Sequence, residues 1–198
     1  MHALALSMLR FEQRTILETR TIGSLEVSVV GVGCNNFGAR LDQDGTDAVV
    51  HASLDAGINF FDTADIYGAT QSEVFLGNAL GARRDEVIIA SKFGMPIDDA
   101  HFGAKPTYVK SACEDSLRRL GTDHIDLYQL HYPDESTPIA DTLGALAELV
   151  VEKQAQGASD PLLLPPRRGL VHLLVGVDSP QRNLFDISLE TVAVDQAP

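Results

Sequence analysis

Four residues able to handle protons, Asp62, Tyr67, Lys92 and His131, fall at or just beyond the ends of three apolar runs of strand length. "INFF" ends in Asp62, "EVIIAS" in Lys92 and "HIDLYQL" in His131, and Tyr67 sits in the loop after Asp62. Taken singly, each has an ordinary structural explanation. An aspartate caps a turn, a lysine reaches to solvent, and a histidine sits satisfied at a rim. Their coincidence is more informative, because the C-terminal ends of parallel strands share one edge, where barrel enzymes place their chemistry. A tyrosine hydroxyl is by itself a poor acid, with a pKa near ~10. A cationic Lys92 nearby would stabilise the phenolate, and Asp62 would pair with Lys92 and hold it. His131 could donate a hydrogen bond to a carbonyl oxygen. Such a set delivers a proton to an oxygen while another agent supplies hydride.

The elements that must position these residues are visible in the apolar pattern. Residues 19–27, "TRTIGSLEV", read as a hairpin around Gly23 and Ser24. "VSVVGVG" reads as one continuous strand ended by Gly33, and residues 46–56 as a helix stopped by Gly57. "INFFD", "DEVIIASK" and "HIDLYQLH" are the next strands. "SEVFLGNALG", "TYVKSACEDSLRRLG" and "STPIADTLGALAELVVEK" are the next helices, the last capped by Ser136 or Thr137 ahead of Pro138. Four strand–helix alternations are the pattern of parallel βα units, with strands apolar throughout as when helices cover them. That pattern fits an open doubly wound sheet or a (β/α) barrel. Gly31, Gly33 and Gly38 do not fit G-x-G-x-x-G, so they are better explained by a tight strand-to-loop turn than by a dinucleotide fingerprint.

Composition narrows the class further. The chain has 198 residues, 44% apolar and 22% charged, enough for one sizeable core. Twenty-eight acids against fifteen Lys and Arg leave a net charge of −13, which disfavours nucleic acid and anionic membranes as partners. Cys34 and Cys113 have neither metal-ligand spacing nor a disulfide framework, which suits a reducing cytoplasm. The N-terminal "MHALALSMLRF" lacks a basic segment before its apolar run, so no signal peptide is expected. No apolar stretch approaches the ~20 residues of a membrane helix. The expectation is a cytoplasmic protein.

"GINFFDTADIYG", "VIIASKFG" and "RRLGTDHIDLYQLHYPD" resemble the aldo-keto reductase family, in the order and spacing of the four residues. The hairpin "TRTIGSLEVSVVGVG" resembles the family's barrel-closing start, and the likeness runs from about residue 19 to 153. The resemblance implies an α/β fold of (β/α)₈ TIM-barrel type and NADPH-dependent reduction of small aldehydes and ketones. It assigns Tyr67 as proton donor, Lys92 and Asp62 as its supporting pair and His131 as the histidine of the set. Gly33, Cys34 and Asn35, with Asp62, match the region that approaches the nicotinamide half of the cofactor.

The pattern changes after Lys153. Residues 154–169 carry three of the nine prolines and no period, and "LVHLLVGV" is one further strand-like run, Leu170–Val177. The family's Ser-Asn pair and adenosine-phosphate loops have no counterpart there. The expected organisation is therefore a half barrel over 1–153, holding four βα units, and a divergent tail over 154–198, as from a truncated or frame-shifted product. Such a chain is expected to bind NADPH weakly, to be feebly active, and to self-associate through open sheet edges. Two further readings stand beside the reductase: a non-catalytic remnant or nucleotide-binding regulatory module on the same scaffold, and a metal-dependent hydrolase built on Asp62, Asp65 and His131. The last lacks the additional histidines that such a site needs, so no metal is expected.

Overall fold

In the computed structural model, which describes residues 17–157, the chain opens with an antiparallel hairpin. Strands β1 (Thr19–Ile22) and β2 (Leu25–Ser28) pair across the Gly23–Ser24 turn. The expected single strand over 27–33 is two pieces. β2 closes at Ser28, whose hydroxyl donates to the Val30 carbonyl at 2.6 Å, and the Val29 amide donates to Glu18. Only Gly31–Gly33 forms the next strand, β3. Val29 and Val30, within that apolar run, are exposed at this bend. Asn59 fastens the hairpin to the sheet, accepting from the Ser28 amide at 2.7 Å and donating to the Glu26 carbonyl at 2.9 Å.

The remaining strands are β4 (Phe60–Asp62), β5 (Ile88–Phe93) and β6 (Leu127–Leu130), and all are parallel to β3. Their order across the sheet is β3-β4-β5-β6, the order of the chain. A doubly wound sheet reverses direction at a switch point, whereas a barrel adds each strand beside the last. The described residues follow the barrel order, as four successive βα units. Helices α1 (Gln43–Asp55), α2 (Gln71–Leu80), α3 (Pro106–Leu120) and α4 (Ile139–Gly157) pack each against the next. Among the described residues no helix is long and apolar enough to cross a membrane. The Leu170–Val177 run and most of the expected tail lie outside the described residues.

Helix limits follow local chemistry. α1 begins three residues earlier than its apolar period suggests, because Asp42 caps it by accepting from the Gly45 amide at 2.9 Å. α3 starts with Pro106 in its first turn and ends at Gly121 with φ of 63°. α4 runs on through Gln154–Gly157, where the sequence suggested an irregular tail; Gln and Ala are good helix formers and extend it to a glycine. The core lies between the helices and the sheet, with Val50, Leu54, Leu76, Ile89, Phe93 and Leu146 buried in one cluster.

One helix contact depends on a missing side chain. A Cβ added at Gly77 in α2 would lie 2.3 Å from the Leu120 carbonyl oxygen at the end of α3. Alanine favours a helix interior over glycine by about 1 kcal/mol, but overpacking against fixed backbone costs about 1–3 kcal/mol. Gly77→Ala should therefore destabilise the chain, against its helix propensity. Urea unfolding midpoints test this, and a raised midpoint would count against the close α2–α3 approach.

Candidate active site

The rim of the sheet gathers the four sequence-predicted residues. Asp62 ends β4, Lys92 lies one residue before the end of β5, and His131 directly follows β6. Parallel pairing continues past β4: the Thr63 amide donates to Ala90 at 2.8 Å and the Asp65 amide to Lys92 at 3.0 Å. The His131 amide donates to the Phe93 carbonyl at 2.8 Å, so backbone ladders set the height of each side chain.

Lys92 is the centre of the group. Its ammonium forms an ion pair with Asp62 and donates to the Thr63 carbonyl at 2.8 Å, with only 14% of its side chain exposed. The same nitrogen lies 5.1 Å from the centroid of the Tyr67 ring. The His131 ring meets Tyr67 edge to face, with centroids 5.5 Å apart and planes at 84°. The structure thus brings all four together.

Tyr67 is held by a tight loop. Its amide donates to Ala64 at 3.2 Å and its carbonyl accepts from Ser72 at 3.2 Å. Gly68, Ala69 and Thr70 then take φ of 58°, 52° and 73° in succession. Left-handed backbone costs a side-chain-bearing residue roughly 1–2 kcal/mol, and Thr70 is β-branched besides. At Gly68 a Cβ would lie 2.3 Å from the Phe37 carbonyl oxygen, so this position also needs glycine for space. Beneath the loop, the Ser72 hydroxyl donates to the Cys34 carbonyl at 2.8 Å and lies 2.9 Å from the Thr63 hydroxyl.

The residues matched to the nicotinamide-side loop divide by exposure. Gly33 and Asn35 are exposed beside Asp62, and a Cβ built on Gly33 would meet nothing within 4 Å. Cys34 is fully buried, its amide donating to the Asp62 carbonyl at 2.8 Å. Burial, with the charge of Asp62, pushes its thiol far above the ordinary range. The Cys34 carbonyl is engaged as well, by the Phe37 amide and the Ser72 hydroxyl, so Cys34 is not placed to meet a ligand, and of the three Gly33 and Asn35 are the open ones. Asp62, Asp65 and His131 do not form a metal-ligand group, and no three such side chains do among the described residues.

Two arrangements escaped the sequence reading. Glu73 is fully buried, accepting from Arg119 at 2.6 Å and from Ser91 at 2.5 Å. Its signal was present, since Glu73, Leu76 and Leu80 share one helical stripe and an acid there needs a buried partner. Asp134 ties the loop after β5 to the loop after β6, accepting from the Ala104 amide, the Ser136 hydroxyl and the Thr137 hydroxyl at 2.9, 2.6 and 2.7 Å. Those donors, Ser136 first, hold its carboxyl well below the usual carboxylate range.

Comparison with known proteins places these residues in context. The model of the aldo/keto reductase family matches residues 29–153. "Probable aldo-keto reductase 1" from Glycine max is 43% identical over 136 residues, which are 64% of this chain and 39% of that protein. The structure of aldo-keto reductase AKR11C1 from Bacillus halodurans, in its holo form, superimposes with a TM-score of 0.63 at 38% identity. That match covers 69% of this chain and 47% of the other, so the chain spans under half the length of either relative.

The two missed arrangements give separate outcomes. Removing one partner of a buried ion pair costs about 3–5 kcal/mol, so Glu73→Ala should destabilise by about that much in urea. Glu73→Gln, which still accepts hydrogen bonds, should lose less. For Asp134 the folded state favours the ionised carboxyl. Its stabilisation is fully present above the ordinary aspartate value, near ~4, and is lost as pH falls below it. Acid unfolding profiles should show this slope in the native chain and a shallower one in Asp134→Asn; parallel profiles would remove Asp134 as the rim fastener.

Proposed function

We propose that this chain, which belongs to the aldo/keto reductase family, carries the proton-handling site for reduction of an aldehyde or ketone to the alcohol, with NADPH as the partner cofactor. The carrying observation is Lys92, paired with Asp62 and poised 5.1 Å from the Tyr67 ring, which His131 also meets edge to face. A solvent-facing structural lysine would have no reason to be shielded in this way.

Gly33, Asn35 and Asp62 are the residues that would hold the nicotinamide half, with Cys34 buried beneath them. A bound nicotinamide supplies the hydride that the carbonyl carbon accepts. The chain's own work is on the oxygen. The Tyr67 hydroxyl gives its proton to the carbonyl oxygen as negative charge develops there. Lys92 stabilises the charge left on the tyrosine oxygen, and the low exposure of that ammonium strengthens the effect by limiting screening. Asp62 holds Lys92 in place, so the cation does not swing to solvent. His131 offers a hydrogen bond that orients the carbonyl. The choice of aldehyde or ketone rests with the exposed rim, where Phe102 and Tyr132 present large apolar surfaces.

The test is consumption of NADPH by the purified chain with a reactive aldehyde, followed by nicotinamide absorbance. Tyr67→Phe removes the proton and should lower kcat by roughly 10²–10⁴ while leaving cofactor affinity nearly unchanged. A phenylalanine variant with native kcat would exclude Tyr67 as the acid. NADPH binding without turnover would instead favour a nucleotide-binding module on the same scaffold.

A further inference from the structure

The loop that carries Tyr67 also carries a carboxyl group with little to answer it. Asp65 is fully buried, and among the described residues neither of its oxygens has a well-formed hydrogen bond. An ionised carboxylate in that state is far more costly than the neutral acid in the same place. The groups facing it come from every neighbouring element: Glu73 on α2, Arg119 and Tyr108 on α3, Lys92 on β5, Tyr128 on β6, and the Ile66 amide in its own loop. Arg119 is already engaged by Glu73 at 2.6 Å, and Lys92 by Asp62. Two buried carboxyls thus share one guanidinium, and Glu73 holds the better claim on it. Holding one proton resolves the imbalance, and Asp65 is the side chain left without partners.

Its position links this proton to the site. The Asp65 amide donates to the Lys92 carbonyl at 3.0 Å, and Tyr67 follows two residues later in a turn closed onto Ala64. We propose that Asp65 is a positioning residue for Tyr67: as the neutral acid it lies quietly in its pocket and the loop holds Tyr67 against Lys92 and His131, whereas the ionised form is driven toward water and loosens the loop. This deepens the reductase reading and rests on it only for the consequence in turnover. Burial first, then the charge of Glu73, pushes the Asp65 pKa up to about 7, with Arg119, the Ile66 amide and Lys92 acting in the opposite direction. The sign is opposite to that of Asp134. A pKa raised on folding gives stability that is complete below the ordinary aspartate value, near ~4, and is lost as pH rises to about 7.

The experiment follows the Asp65 side-chain carboxyl carbon by NMR across pH in the 198-residue chain, with the Tyr67 ring signals, identified through Tyr67→Phe, recorded in the same samples. The expected result is an Asp65 midpoint near neutrality and a Tyr67 ring shift with that same midpoint. In Asp65→Asn the Tyr67 step should vanish, and urea midpoints should no longer fall between about pH 4 and 7. Lys92→Met, which removes a cation, should move the Asp65 midpoint upward, a test that holds even where Asp65→Asn folds poorly. An Asp65 midpoint in the ordinary aspartate range, or a Tyr67 step that persists in Asp65→Asn, overturns the proposal. These titrations need no turnover, so an inactive chain that shows them refutes the reductase reading and supports the role of Asp65. An active chain that lacks them does the reverse.

Discussion

The ion pair between Lys92 and Asp62 is the constraint that the rest of the site obeys. An ammonium with little exposure must recover its lost hydration from fixed partners, and the structure gives it two, a carboxylate and the Thr63 carbonyl. Both come from the end of β4, while the lysine comes from β5. Asp62 pairs in register with Ala90, two positions before Lys92 and on the same face of β5, so the lysine needs only to lean back one step to reach it. A shift of one residue would send Lys92 to the opposite face. The fully buried Phe61 and Ile89, paired directly across these strands, specify the register, and the charge pair depends on it.

The site rests on a second layer of charge that is organised differently. At the rim, Lys92 is shielded while its partner Asp62 stays partly exposed. One layer down, Glu73, Ser91 and Arg119 are locked together, and Glu73 is fully buried. That triad joins α2, β5 and α3 by polar bonds across a mostly apolar core. Its geometry is demanding, because each member left unpaired would carry the full cost of desolvation. The polar chain from Thr63 through Ser72 to the Cys34 carbonyl does the equivalent for the loops, joining the end of β4 to the end of β3. The backbone of the proposed cofactor loop and that of the Tyr67 loop are thereby positioned by the same serine.

Much of the fold was legible because its strands are apolar throughout and its helices end in glycine. Gly57, Gly81 and Gly121 stop α1, α2 and α3 where the pattern placed those stops. The rim group was legible for a different reason: ionisable residues at consecutive strand ends are conspicuous against apolar text. The single strand drawn over 27–33 failed because apolar content does not reveal a bend, and Ser28 turns the chain with its own side chain. Asp65 was considered only as a metal ligand, since a sequence cannot show that its neighbours are Glu73 and Arg119 from other helices. The Asp134 fastener was hidden similarly, its partner Ala104 offering only a backbone amide thirty positions away.

Strain and support meet at Tyr67. Three successive left-handed residues follow it, two of them bearing side chains, and an unsupported loop would relax out of that shape. Here the contacts on either side oppose relaxation. Gly68 is wedged against the Phe37 carbonyl, and α2 begins at Gln71, so the loop has no slack at its far end. At its near end the Thr63 and Asp65 amides are bound to β5. The aromatic ring is thus carried on a short bridge from β4 to α2, bonded at its near end to the strand that bears Lys92. Any change that shifts that strand moves the ring and the ammonium together, which preserves their separation better than two independent loops would. The bridge has one weak point within it, the poorly satisfied carboxyl of Asp65, carried on the very residue whose amide anchors the near end.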